Sequence, residues 1–78
     1  MSVSRNEALA EARIAVRRLG SAPDPQKLAS SLIAGLMRSG PWSPGQERAI
    51  LAVAEWLSTR PPPTALKPRC QQLLKDLE

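Results

Sequence analysis

Apolar residues recur at three- and four-residue spacing through most of the chain, and prolines and glycines cut that pattern into four segments. In the first, Ala8, Leu9, Ala12, Ala15, Val16 and Leu19 share one side, while Asn6, Glu7, Glu11, Arg13, Arg17 and Arg18 take the other. The second presents a broad face of Leu28, Ala29, Leu32, Ile33, Leu36 and Met37. The third centres on Ala49, Ile50, Val53, Ala54 and Leu57, with Leu51 and Trp56 at its margins. In the fourth, Leu66, Cys70, Leu73, Leu74 and Leu77 fall on one narrow stripe. Each set follows the helical period of about 100° per residue, which predicts an all-α fold.

The punctuation fixes the boundaries. Ser4 followed by Glu7 fits a capping box and opens a helix over about 5–19, ended by Gly20. Asp24-Pro25 joins an N-cap to a proline at the first helical position, where the missing N–H is harmless, and starts a helix over about 25–38, closed by Gly40. Ser43-Pro44, with Gln46 at the capping-box position, repeats the signal for about 44–59. Pro61-Pro62-Pro63 reads as a stiff polyproline elbow. Pro68 is best placed in a first turn, so the last helix is predicted over about 66–77. The expected architecture is one domain over 1–78, a compact bundle with helices 1 to 3 as the core and helix 4 packing after the elbow.

Composition then narrows the chemistry. The 78 residues include no histidine, tyrosine or phenylalanine and a single cysteine. The usual catalytic triads and most zinc sites need histidine, so no metal and no cofactor is expected. Cys70 has no partner for an internal disulfide, and a reducing, cytoplasmic setting is expected. No apolar run approaches the roughly 20 residues of a membrane span, and the first residues carry no apolar signal core.

Catalytic groups are also lacking. Glu47 and Glu55 point about 80° apart on the third helix, which suits solvated charges better than an acid/base pair. Cys70 lies inside an apolar stripe and reads as an inert core thiol. Gly20, Gly35, Gly40 and Gly45 match no phosphate-binding spacing. The expectation is a protein that is not an enzyme.

The net charge of +4 is spread along the chain rather than massed. Arg13 and Arg17 stand one turn apart, a spacing that suits two phosphates or acidic side chains equally. The turn between helices 2 and 3, Ser39 to Pro44, is bulkier than that of a helix-turn-helix, and helix 3 offers only Arg48 and Arg60 as basic readers. Arg60-Pro61-Pro62-Pro63 lacks the second proline of a PxxP ligand and serves as a linker.

Two apolar residues fit no buried stripe. Ile14 projects among Glu7, Ala10, Arg17 and Arg18, and is either a tolerated surface aliphatic, a residue covered by another segment, or a partner anchor. Trp42, between two prolines, is either a lid on the end of the bundle or an anchor. By elimination the chain is expected to be a protein–protein interaction module, such as a small adaptor, assembly factor or inhibitor. Its candidate contacts are Arg13, Ile14, Arg17 and Arg18, with Trp42 and Trp56 as aromatic anchors, and the expected partner carries an acidic patch. The alternative is a small nucleic-acid-binding module using the same arginines on phosphates. A homodimer through the leucines of helix 4 is compatible with either.

Overall fold

The computed structural model describes residues 4–78, which form four helices: α1 Arg5–Arg18, α2 Pro25–Arg38, α3 Pro44–Ser58 and α4 Pro63–Leu77. The cap residues set the first three starts. Ser4, Asp24 and Ser43 each accept, through the side chain, the backbone N–H of the residue three positions on, at 3.2, 3.1 and 3.2 Å. The reciprocal half of the capping box forms at α3, where the Gln46 side chain accepts the Ser43 N–H at 3.0 Å. At α1 only the Ser4 half forms. Gly20 does not close α1 through a left-handed residue; the helix ends at Arg18, and Leu19 caps it in the right-handed region.

The last helix departs from expectation. Pro63, not residue 66, takes its first position, and Pro68 lies five residues further in. A proline there removes the N–H that would meet the Thr64 carbonyl and crowds it with its ring. Thr64 and Pro68 are both exposed, a setting in which a carbonyl without an intrahelical partner is open to solvent, and the helix continues through Pro68.

The core is also distributed differently from a three-helix nucleus with a fourth helix added. α2 packs against α1 and α3, and α4 returns to pack against all three, whereas the backbones of α1 and α3 do not approach each other closely among the described residues. α4 fills the space between them with Leu66, Cys70, Leu73, Leu74 and Leu77, all buried. With Leu36 of α2 and Ile50 of α3, four of these are the most deeply enclosed large side chains. Burying each leucine contributes roughly 1.5–3 kcal/mol. No polar side chain is buried among the described residues. The Cα radius of gyration, 11.5 Å, is that of a compact chain of this length.

The broad apolar face of α2 is not wholly covered. Its arc from Leu28 to Met37 spans about 180°, more than the neighbouring helices enclose. Met37, expected inside, is 51% exposed.

Two corners complete the bundle. After α2, Gly40 adopts φ +151°, a region that favours glycine, and the Gly40-Pro41 peptide is cis. The Trp42 indole N–H and the Ser39 hydroxyl both donate to the Leu36 carbonyl at 2.8 Å, satisfying the last turn of α2. After α3, Arg60 takes φ +55° and its N–H bonds to the Leu57 carbonyl at 3.0 Å before Pro61 and Pro62 lead into α4. Gln26 reaches across from α2 to the same carbonyl at 2.8 Å. Gln46 also donates to the Leu77 carbonyl at 3.1 Å, joining the start of α3 to the end of α4.

Candidate functional site

The helix α1 residues singled out from sequence do not form one patch. At 100° per residue, Arg13 and Arg18 lie about 140° apart around the helix. Arg13 turns toward α4, where Nε donates to the Glu78 carboxylate at 2.9 Å and Nη2 pairs with the same oxygen. Both side chains are about half exposed, so this pair contributes at most about 1 kcal/mol. Arg17 borders the polar groove between α1 and α4, beside Gln71 and Lys75. Arg18 faces the opposite side, over the loop from Ser21 to Asp24.

Ile14 stands on the crest between them, 52% exposed. Arg17 and Arg18 flank it one turn on, about 60° to one side and 40° to the other. Among the described residues, neither arginine makes a side-chain ion pair or hydrogen bond. The outer surface of α1 therefore offers one aliphatic side chain between two cations, with Glu7 and Glu11 nearer its start.

The tryptophans sit differently. Trp42 is partly buried against the core, its N–H occupied by Leu36, and the Arg5 guanidinium lies over its ring at 5.8 Å. Trp56 is partly buried too, with Arg69 over its ring at 5.4 Å. Each ring is thus covered by a cation from its own chain, an arrangement that stabilises the fold modestly. The α4 leucines, on which a homodimer through that helix was to rest, are enclosed within the chain.

Cys70 is fully buried. Burial away from water pushes its thiol up to about 11 from 9.0, against a smaller downward pull from Arg69. A thiol held protonated in an apolar interior is a poor nucleophile. Among the described residues, no three histidine, cysteine or carboxylate side chains converge as a metal site would require. No helix is long and apolar enough to cross a membrane.

No protein family matches the chain, and no curated protein or solved structure does either.

One feature of that surface escaped the sequence reading. Along the seam of α2 and α3, Met37 and Leu51 stand 51% and 43% exposed around a 210 Å³ cleft walled by Trp42 and floored by Ile50. The seam continues from Met37 as a shallow hollow of about 670 Å³ bordered by Ser30, Ala34, Ala54 and Ser58. The available signal was the spacing of Glu47, Leu51, Ala54 and Ser58, which forms a second stripe on α3 beside the core face.

Proposed function

We propose that this chain is a non-enzymatic protein–protein interaction module that docks an acidic partner on the outer face of α1. The observation that carries the reading is the exposed Ile14 flanked by Arg17 and Arg18. An aliphatic side chain between two cations matches a partner surface that has an apolar hollow rimmed by carboxylates, since arginine forms bidentate pairs with carboxylates and apolar contacts supply the desolvated centre. Gln71 and Lys75, across the groove from Arg17, extend the polar rim.

The rival reading, a nucleic-acid module using the α1 arginines on phosphates, draws less support. Four of the chain's arginines are engaged internally: Arg13 with Glu78, Arg5 over Trp42, Arg69 over Trp56 and Arg38 with the Ala34 carbonyl. Those left on α1 diverge around the helix rather than tracking a backbone, and no exposed aromatic platform accompanies them.

Affinity capture with the wild-type chain and with Ile14→Asp and Arg17→Glu variants tests the proposal. A partner retained by the wild type and lost by both variants is the expected result. Failure to recover a protein, or equal recovery by all three chains, rejects it. Mobility-shift titrations across a salt series address the rival, which requires binding that weakens steeply as salt rises.

A further inference from the structure

We propose that the α2–α3 face is a dimerisation surface whose occupant is a second copy of this chain, independently of the α1 reading. The face has two unlike halves. Toward the start of α2 and the end of α3 it is hollow, because Ser30, Ala34, Ala54 and Ser58 are small. Toward the other end it is raised, because Met37 and Leu51 project into solvent. The two helices run in opposite directions, as the reach of Gln26 to Leu57 at one end and the shared cleft of Met37 and Leu51 at the other require.

A two-fold axis lying in this face and crossing both helices would place α2 on its own copy and α3 on its own copy, each reversed. Met37 then lies over the Ser30–Ala34 stretch of the second copy, and Leu51 over Ala54–Ser58. The seven-residue intervals from Ser30 to Met37 and from Leu51 to Ser58 put both matches at the same distance from the axis, about 5 Å on either side. Knob enters hollow twice, as an isologous contact demands.

Charge follows the same symmetry. The hollow end carries Lys27 and Arg60, together with Asp24, whose carboxylate caps α2; the raised end carries Glu47 beside the 210 Å³ cleft. Reversal brings Glu47 of each copy to Arg60 of the other, with Lys27 diagonally across the seam. A parallel arrangement would instead set knob on knob and like charge on like charge.

Helices of this length extend about 22 Å and pack 8–10 Å apart, so the face covers roughly 500 Å² on each copy, or about 1,000 Å² in all. That is the lower bound for a specific interface, and the dimer is accordingly weak and concentration-dependent.

Sedimentation equilibrium on the chain, from about 5 μM to 1 mM, is the test, with each variant checked for retained helicity. The expected result is a mass that rises toward the dimer with concentration. Met37→Asp and Glu47→Arg should each weaken association about tenfold or more, and both sites are exposed enough to leave the monomer folded. Adding Lys27→Glu and Arg60→Glu to Glu47→Arg should recover most of the loss, since the pairs re-form with reversed sign. A monomer across the whole range overturns the proposal. So does a dimer that neither single variant weakens, or a loss at Glu47→Arg that the compensating changes leave in place.

Discussion

The two proline-containing corners of the bundle are built on opposite principles. At the Trp42 corner the chain supplies every group the geometry asks for: a glycine at φ +151°, an indole N–H and a serine hydroxyl for the Leu36 carbonyl, and a complete capping box at Ser43 and Gln46. At the Arg60 corner an arginine occupies a left-handed position where glycine is at ease, and α4 begins behind Pro62 with no side-chain cap. Its local bonds, from the Arg60 N–H to the Leu57 carbonyl and from the Thr59 hydroxyl to the Trp56 carbonyl, are supplemented from a distance. Gln26 from α2 and the enclosed leucines of α4 help to hold a turn in which Arg60 takes a conformation it disfavours.

Of the two corners, the first should give the larger stability losses on substitution. Trp42→Ala removes a partly buried indole and one of the donors to the Leu36 carbonyl, and should lower unfolding free energy by about 2–3 kcal/mol in urea titration. Trp42→Phe, which keeps most of the apolar area, should lose only about 1 kcal/mol. Gly40→Ala comes next, at about 1–3 kcal/mol, because an added Cβ is strained at that φ and would meet the Trp42 backbone nitrogen at 3.4 Å.

Beyond the second corner, Cys70 reports on how tightly α4 is seated. Its folded pKa, raised to about 11, stands above the unfolded 9.0, so the stabilisation is complete below pH 9 and declines as pH rises from 9 to 11. The decline should be on the order of 2 kcal/mol, measured as the urea midpoint of the wild type against Cys70→Ala, in which that part of the slope disappears. A thiol free to ionise in the folded chain would show no such difference, and α4 would be less firmly held than its burial implies.

The smallest effects carry the opposite sign, and they separate the corners most sharply. Arg60→Gly should raise stability by about 0.5–1 kcal/mol by relieving the left-handed arginine. Pro62→Ser, which offers α4 a capping hydroxyl, should add about 0.5–1 kcal/mol. Destabilisation by either change would show that the Arg60 corner is already as well satisfied as its counterpart.

The same contrast explains what could be read in the sequence. Ser4, Asp24-Pro25 and Ser43-Pro44 act within one helical turn, so the starts of α1, α2 and α3 were legible. The start of α4 was not, because Pro68 argues locally for a late beginning and only the burial of Leu66 and the exposure of Thr64 permit an early one. Met37 was misplaced for a related reason: periodicity gives the width of an apolar arc but not how much of it the neighbours cover. The divergence of Arg13 and Arg18 follows from helical geometry. The engagement of Arg13 by Glu78, 65 positions away, depends on how α1 and α4 meet. The two-halved seam of α2 and α3 needs both helices side by side before its shape exists at all.

The separation of α1 and α3 also matters while the chain is being made. A ribosome releases helices in order, and α4 packs against all three of those that precede it. Until the residues up to Leu77 have emerged, the parts of the α1, α2 and α3 apolar faces that α4 covers stay open to water, chaperones, proteases and neighbouring nascent chains. Substitutions in the Leu66–Leu77 stripe should therefore lower yield in the cell as well as the stability of the folded chain.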